Sequence, residues 1–309
     1  MIVYYHSACP DGWCAAWVAK RKYPDAKLVA LDHGLTLEQL DSIYREARGQ
    51  DVLMVDYSLR TREANDELAR VANSFRILDH HKSAQNIIGD ATYATFDMNR
   101  SGAGLTWDYL FGKDRYSVYA YTLPYKPEYV HEQSVYQVER PWFIDYVEAR
   151  DLWRWDSVTN AREVCAYIGS QPFTIEAYDA LVDIGVSDVL ALGLGAQAHI
   201  DHFVRETIKS VRFGHLLGHE VAILNATYLN CSEIGNELAK EAEFSITWFE
   251  RKDDVIQFSL RSIGEMDVSA IAKQFQGGGH KNAAGFQLPY ESGRRLIDQI
   301  LRRGSNYEF

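Results

Sequence analysis

The sequence has few cysteines, no long apolar run and no excess of positive charge, and each shortage excludes a class of protein. Its four cysteines are scattered without a C-x-x-C pair, so a disulfide framework is not expected. No apolar run approaches the ~20 residues that a membrane-spanning helix needs. The net charge is −11, from 32 Lys and Arg against 43 Asp and Glu. This balance argues against a basic surface that binds long duplex nucleic acid.

What remains is the composition of an ordinary globular protein, with 47% apolar and 24% charged residues. The first residues enter an apolar segment at once, without the regions of a signal peptide. We therefore expect a cytoplasmic protein that has no membrane partner. A chain of 309 residues is long enough for two domains. The sequence leaves open whether the protein forms a homodimer.

Strand-like and helix-like segments alternate through the first 110 or so residues. The strand-like segments are residues 2–5, 27–31, 52–55 and 75–78. Between them lie helical patterns, such as the apolar residues Leu37, Leu40, Ile43 and Tyr44, which recur with a period of 3.6. This alternation predicts an α/β fold with a doubly wound, mostly parallel sheet.

The pattern changes in the second half, and a smaller α/β domain is predicted there. Helices are expected over 140–183, one of them covering 142–155, and a further helical stretch covers 188–213. The predicted organisation is a first domain at 1–185, a helical linker at 186–213 and a second domain at 214–309, with a cleft between the domains. A tyrosine-rich insert at about 112–137 interrupts the first domain, and it fits either a surface hairpin or a lid that stacks on bases.

Residues that bind metals follow three of the predicted strands in the first half. His6 and Asp11 follow the first of these strands, Asp56 the second, and Asp-His-His at 79–81 the third. The carboxyl ends of parallel strands share one edge of a sheet, where open α/β sheets bind their ligands. Carboxylate and imidazole groups suit Mn²⁺ and, less selectively, Mg²⁺ or Zn²⁺. A metal site is therefore predicted at this edge.

Three consecutive glycines at 277–279, followed by His280, form a second conspicuous pattern. They come after a predicted helix at 267–275. A glycine that stops a helix explains one of the three, whereas successive glycine amides can approach a phosphate closely. This pattern predicts a turn that binds an anion.

Together these patterns resemble the DHH phosphoesterase superfamily, in the branch with a DHH-associated carboxyl-terminal domain. The motifs, in their expected order, are His6…Asp11-Gly12, Val55-Asp56-Tyr57-Ser58, Asp79-His80-His81, Arg100-Ser101-Gly102-Ala103 and Gly277-Gly278-Gly279-His280…Ala283-Ala284-Gly285. The resemblance implies two divalent ions, usually manganese, that activate a water for hydrolysis of phosphoesters or phosphoanhydrides, while the second domain holds the substrate.

From this resemblance we expect a manganese-dependent phosphodiesterase or exonuclease that acts on short oligonucleotides or small (di)nucleotides. A phosphatase of phosphoanhydrides such as polyphosphate is the alternative enzyme. That alternative is harder to reconcile with so few clustered cations, because a long polyanion needs many. A nucleotide sensor with weak catalysis is the alternative from a different functional class.

The resemblance also implies a role for each matching residue. The implied metal ligands are His6, Asp11, Asp56, His80 and Asp151. Among these, Asp56 is expected to bridge the ions, and Asp151 is preferred to Asp145 and Glu148 as the last carboxylate. Asp79 is expected to orient His80, which leaves His81 to contact the phosphate or the leaving oxygen. The implied substrate-binding residues are Arg261, Gly277, Gly278, Gly279 and His280.

Structural explanations exist for several of these residues. Asp11 and Asp56 could be turn or helix-capping residues, and Asp151 could form an ion pair with a neighbouring arginine. The first motif also departs from the Asp-x-Asp of many relatives, because Cys9 occupies the first acidic position. Its thiolate could take that role and favour softer metals. Cys9 could equally be a spectator, so the sequence leaves open whether one or two ions bind.

Overall fold

The computed structural model describes residues 1–7, 9–32, 34–112, 116–120 and 135–302, with no account of the side chains of 113–138. Two compact units divide the chain, Met1–Gln197 and Ala198–Phe309. Among the described helices, none combines the length and the apolar character needed to cross a membrane. The tyrosine-rich insert lies largely outside the described residues. At its two ends, strands β6 (Tyr116–Ala120) and β7 (Val135–Glu139) pair in an antiparallel manner.

The first unit is built on a sheet of five parallel strands. In chain order they are β1 (Ile2–His6), β2 (Lys27–Leu31), β3 (Asp51–Val55), β4 (Ser74–Asp79) and β5 (Ala94–Phe96). Their order across the sheet is β2-β1-β3-β4-β5, and all neighbours are parallel. The order reverses between β1 and β3, which is the type of switch point where open α/β sheets bind ligands. The predicted fold class is confirmed; strand β5 was not predicted.

Helices cover both faces of this sheet. They are α1 (Pro10–Lys22), α2 (Leu37–Ala47), α3 (Arg62–Val71), α4 (Lys82–Ile88), α5 (Gly102–Phe111), α6 (Trp142–Asp151), α7 (Ala161–Ser170), α8 (Ile175–Asp183) and the start of α9 (Val186–Thr207). Because successive strand residues point to opposite faces, Val3 and Tyr5 pack in the core that contains α1 and α5. Ile2 and Tyr4 pack in the core that contains α2 and α3.

Two predicted helices end earlier than expected. Helix α6 ends at Asp151 rather than at 155, because Trp153 adopts φ 56° and the Arg154 amide bonds back to the Ala149 carbonyl at 2.7 Å. This arrangement is a common helix termination. Helix α9 does not continue to 213. The chain instead enters a strand at 212–216, turned by Leu217 at φ 53° and Gly218 at φ 92°.

The second unit contains a mixed sheet of six strands. Its strands are β8 (Arg212–Leu216), β9 (His219–Asn225), β10 (Phe244–Glu250), β11 (Val255–Arg261), β12 (Gly278–His280) and β13 (Ala283–Pro289), in the order β12-β13-β11-β10-β9-β8. Only β9 and β10 are parallel. Helices α11 (Val268–Gln274) and α12 (Tyr290–Arg302) pack in the core of one face. Helix α10 (Cys231–Leu238) packs in the other core.

Candidate metal centre

The end of β1 and the start of α1 supply the first side chains of the site. His6 is the last residue of β1, Cys9 is the N-cap of α1, and Asp11 lies in the first turn of that helix. The Sγ atom of Cys9 accepts the Gly12 amide at 3.3 Å and lies 3.2 Å from His6 Nδ1. The chain therefore turns directly from strand to helix with three potential ligands close together.

Asp56 follows β3 in the left-handed backbone region, with φ 52°. Its amide donates to the Leu78 carbonyl at 2.9 Å, which holds this turn against the neighbouring strand. Left-handed backbone costs free energy for a residue with a side chain, although Asp tolerates it better than most. Such a conformation at a strand end is typical of functional sites.

The two carboxylate oxygens of Asp56 lie against different groups of side chains. Its Oδ2 is 3.3 Å from Cys9 Sγ and 3.8 Å from His6 Nδ1. Its Oδ1 is 3.2 Å from His80 Nε2. That imidazole nitrogen is also 3.4 Å from Asp151 Oδ2 and 3.7 Å from Asp11 Oδ2. Asp56 therefore joins a His6–Cys9 group to an Asp11–His80–Asp151 group.

The amino terminus of α5 fixes the Asp11 carboxylate. The amides of Gly102 and Ala103 donate to its two oxygens at 2.6 and 2.9 Å. These amides at the start of a helix have no partner within the helix, and the helix dipole favours an anion there. Ser101 caps the helix by accepting the Gly104 amide. Asp11 therefore lies beside the other potential metal ligands, as predicted. It also binds the amides at the start of α5, which is a structural role.

Asp79 lies beneath the histidine pair and accepts several hydrogen bonds. Its carboxylate accepts the amides of His80 and His81 at 2.7 and 3.1 Å, His81 Nδ1 at 2.7 Å and the Ser58 hydroxyl at 2.5 Å. The expectation that Asp79 orients His80 stays a prediction. Asp79 holds His80 by its main chain, and the imidazole ring that it contacts directly is that of His81.

Burial and mutual repulsion disfavour the charged forms of two site carboxylates. Burial, followed by the charges of Asp56 and Asp151, raises the pKa of Asp11 well above its ordinary value. Burial and the Asp56 charge likewise raise the pKa of Asp151, against the opposing effect of His80. Burial and neighbouring carboxylates thus both oppose ionisation of these two groups, and a bound cation would favour their charged forms.

The pKa shifts of the other carboxylates and of the histidines depend on the balance between burial and neighbouring charges. Burial opposes ionisation of Asp56 and Asp79, but the adjacent histidines outweigh it and lower the pKa of each carboxyl. Burial also opposes protonation of His80 and His81, but nearby carboxylates outweigh it and raise the pKa of both imidazoles. For His6 burial dominates, and the pKa falls.

This donor set fits divalent metal ions. His6, Cys9 and Asp56 form one group of potential ligands, and Asp11, His80 and Asp151 form another. Asp56 is 1% exposed, and its Oδ1 accepts no aligned hydrogen bond from the described residues. Asp151, whose side chain is 27% exposed, gives the second group its contact with solvent. A buried carboxylate oxygen without an aligned donor is the kind of atom that a metal ion satisfies.

Glu148 and Asp145, the two less favoured candidates for the last metal-binding carboxylate, bind arginines instead. Glu148 accepts Arg100 Nη1 at 2.5 Å and the Ser101 amide at 3.0 Å, and it thereby supports the start of α5. Asp145 accepts Arg140 Nε at 2.7 Å. Asp151 is the one of the three that lies beside His80.

In the second unit, strand pairing aligns Arg261 with two residues of neighbouring strands. Arg261 of β11 pairs with Ala283 of β13, which pairs with His280 of β12. Residues that are directly opposite each other in antiparallel strands lie on the same face of a sheet. Arg261 also donates to the Ser232 hydroxyl at 2.7 Å. Two of the predicted substrate-binding residues therefore lie in one row at the same end of three strands.

The glycine pattern differs from the prediction of a turn. Gly278 and Gly279 belong to the edge strand β12, which pairs with β13. A Cβ at Gly277 would lie 2.1 Å from the Gly285 carbonyl oxygen, and Gly279 has φ 137°. Close packing of β12 on β13 therefore explains the glycines at 277 and 279. Sequence reasoning missed this because it weighed only a helix stop against an anion-binding turn.

Gly102 is a functional position that sequence reasoning named only as part of a motif. A Cβ there would lie 2.4 Å from Asp56 Cβ and 2.7 Å from its Cγ and Oδ1. The motif around Ser101 was visible in the sequence, but the contact that makes glycine necessary joins residues far apart in the chain.

Comparison with known proteins agrees with this architecture. A family model described as the DHHA1 domain matches residues 221–303. This match lies in the second unit. A relative in Acanthamoeba polyphaga mimivirus, described as uncharacterized protein R106, is 28% identical to this protein over 94% of the chain and 69% of its own length.

Solved structures with the same general fold include RecJ from Thermus thermophilus, determined in complex with Mn²⁺. Its TM-score is 0.51 at 11% identity, and the alignment covers 99% of this chain but only 52% of RecJ. The pGpG-specific phosphodiesterase PggH from Vibrio cholerae matches 97% of each chain at 14% identity, with a TM-score of 0.43. At 11% identity, the likeness to RecJ bears on the fold alone.

Metal binding should be visible as a change in stability. Adding Mn²⁺ at about 100 times its dissociation constant should stabilise the wild type by roughly 2.7 kcal/mol, because the ion binds only the folded site. Asp56→Asn should lose most of this effect, since Asp56 contacts both ligand groups. Thermal unfolding with and without Mn²⁺ measures it. Asp41→Asn, on the exposed surface of α2, is the matched control, and an equal Mn²⁺ response in Asp56→Asn would contradict the assignment.

Proposed function

We propose that this protein is a manganese-dependent phosphoesterase of the DHH superfamily that hydrolyses phosphodiester bonds of short oligonucleotides or small (di)nucleotides. The observation that carries the proposal is the placement of Asp56, whose two oxygens lie 3.3 Å from Cys9 Sγ and 3.2 Å from His80 Nε2. A carboxylate shared in this way suits a bridge between two ions. Its position at the β1–β3 switch point supports a ligand site at the same edge.

The protein residues that would hold the ions are His6, Asp11, Asp56, His80 and Asp151. When bound, paired divalent ions would activate a water and neutralise the phosphate oxygens. The chain's contribution is to hold these ligands in place before substrate arrives. The α5 amides fix Asp11, the turn after β3 fixes Asp56, and Asp79 fixes the backbone at His80.

His81 supplies a proton-carrying group beside the ligands. Its side chain is 26% exposed, and Asp79 Oδ1 is 2.7 Å from its Nδ1. The neighbouring carboxylate raises the pKa of His81 despite burial, which favours the imidazolium form. We propose that this imidazolium stabilises the phosphate or donates a proton to the leaving oxygen, which is the role of a general acid.

The DHHA1 domain is proposed to bind an anionic part of the substrate. Arg261 and His280 lie in one row at the end of three paired strands, and arginine suits the recognition of phosphate. The acidic net charge of −11 supports a short substrate that is bound locally over a long polyanion.

The test is product analysis on a panel of substrates. Metal-free protein, with Mn²⁺ or Mg²⁺ restored, is incubated with RNA oligomers of graded length, adenosine bisphosphate, cyclic dinucleotides and polyphosphate. We expect mononucleotides from the shortest oligomers or dinucleotides with Mn²⁺, and none after chelation. Phosphate released from polyphosphate alone would replace the proposal with an exopolyphosphatase. Nucleotide binding without turnover of any substrate would replace it with a sensor.

A further inference from the structure

Cys9 is the N-cap of α1, and the structure shows what surrounds its thiol. The Sγ atom lies 3.2 Å from His6 Nδ1 and 3.3 Å from Asp56 Oδ2. All three side chains offer ligand atoms to one potential metal group. The Asp56 carboxylate is 1% exposed, and its other oxygen accepts no aligned hydrogen bond from the described residues. This thiol is therefore one of several ligand types that converge on one point.

Helix capping alone does not account for a cysteine at this position. Cys9 accepts the Gly12 amide at 3.3 Å, which is the contact made by an N-cap residue. Ser, Asp and Asn are the preferred N-caps because their oxygens are strong acceptors, whereas sulfur accepts hydrogen bonds weakly. A position selected only to cap α1 would be better served by serine. The contacts of Cys9 with His6 and Asp56 supply the additional reason for sulfur.

The spacing of the three ligand atoms also fits a metal ion. An ion bound at about 2.0–2.3 Å by nitrogen, oxygen and sulfur separates adjacent ligand atoms by roughly 3–3.6 Å. The observed separations are 3.2 Å for S–N, 3.3 Å for S–O and 3.8 Å for N–O. Small rotations of the side chains would shorten the longest separation, which joins His6 Nδ1 and Asp56 Oδ2.

The two ligand groups differ in chemical softness. Asp11, His80 and Asp151 offer two carboxylates and one imidazole, with Asp56 Oδ1 beside them. The other group offers one imidazole, one thiol and Asp56 Oδ2. Hard oxygen ligands suit Mn²⁺ or Mg²⁺, and thiolate selects softer ions such as Zn²⁺.

We propose that Cys9 binds metal as a thiolate, so that the His6–Cys9–Asp56 position prefers a thiophilic ion such as Zn²⁺ while the Asp11–His80–Asp151 position prefers Mn²⁺ or Mg²⁺. This proposal rests on the metal-dependent hydrolysis proposed above, and it adds that the two positions differ in metal preference. As the metal–sulfur bond forms, the thiol proton is released to solvent.

The test uses Co²⁺ as a spectroscopic probe, because a cobalt–thiolate bond gives a charge-transfer band in the near ultraviolet. Metal-free, reduced wild-type protein is titrated with Co²⁺ beside Cys9→Ser and Cys231→Ser. Cys231 begins α10 in the DHHA1 domain and is the matched control. We expect the band in wild type and Cys231→Ser and its loss in Cys9→Ser. Serine can still cap α1, so thermal unfolding of the metal-free variant should confirm that it is folded.

A second measurement ties the band to metal preference. Cys9→Ser should bind Zn²⁺ at least about tenfold more weakly than wild type, since even loss of an indirect partner costs that much. Asp151→Asn should keep the band, because Asp151 belongs to the other ligand group. A band that persists in Cys9→Ser, or unchanged Zn²⁺ affinity, would overturn the proposal even if hydrolysis is present. A cysteine-dependent band in a protein without hydrolytic activity would instead retain this inference and overturn the proposed function.

Discussion

His80→Ala is expected to lower kcat/KM for phosphodiester hydrolysis with Mn²⁺ by at least ~10²-fold, because even indirect supports of a metal ligand cost up to that much. His80 Nε2 lies within 3.7 Å of carboxylate oxygens from Asp11, Asp56 and Asp151. Removing the imidazole deletes one proposed metal ligand. It also leaves the three carboxylates without the imidazole nitrogen that lies between them. The measurement is steady-state kinetics on the best substrate of the panel.

His80 is 1% exposed, so the alanine substitution leaves a cavity that could destabilise the fold. The control must therefore distinguish a loss of catalysis from a loss of folded protein. His80→Gln keeps more of the side-chain volume and should also be inactive while remaining folded by circular dichroism. His202→Ala, on the exposed surface of α9, should retain wild-type activity. Near wild-type kcat/KM in folded His80→Gln would show that His80 is not needed for catalysis.

The sequence was sufficient to predict where four of the five strands of the first sheet end. Apolar runs followed abruptly by His6, Asp56 or Asp79 reflect two local requirements, a buried strand and a polar edge. Parallel pairing then brings these strand ends to one side of the sheet. The period of 3.6 in Leu37, Leu40, Ile43 and Tyr44 also correctly predicted a helix there, which is α2.

The features that the sequence did not reveal depend on contacts between distant residues. The left-handed backbone of Asp56 is held by the Leu78 carbonyl, and its two oxygens face groups that come from different strands. Likewise, β8 forms only because it pairs with β9 through a turn at Leu217. Leucine is uncommon with positive φ, so no turn signal was present.

Residue identity alone also could not rank the acidic residues of α6. Asp145, Glu148 and Asp151 lie on one short helix, and each could face the sheet edge. Arg140 and Arg100 engage the first two, which leaves Asp151 beside His80. That choice follows from which arginines pack against the helix. Arg140 lies only five residues before Asp145, but Arg100 lies 48 residues before Glu148, a contact that local sequence does not reveal.

Gly102→Ala is expected to reduce activity about as strongly as loss of a ligand, although Gly102 contributes no side chain. A Cβ at this position would lie 2.4 Å from Asp56 Cβ, a separation that real Cβ contacts essentially never show. Asp56 is fixed by its backbone turn, so either Asp56 or the start of α5 must shift. A shift of α5 would also move the Gly102 and Ala103 amides that hold Asp11. Displacement by about 1 Å can cost ~10²-fold in rate.

Gly169→Ala is the matched substitution, because Gly169 lies in α7 and nothing is within 4 Å of an added Cβ. It should leave kcat/KM unchanged and stabilise the protein by roughly 0.5–1 kcal/mol, since alanine favours a helix more than glycine does. Kinetics and thermal unfolding of both variants, with and without Mn²⁺, measure the contrast. The expected pattern is that Gly102→Ala remains folded but loses both activity and stabilisation by Mn²⁺. If Gly102→Ala instead matched Gly169→Ala in activity, the site would tolerate movement of Asp56, and the bridging role assigned to that carboxylate would be wrong.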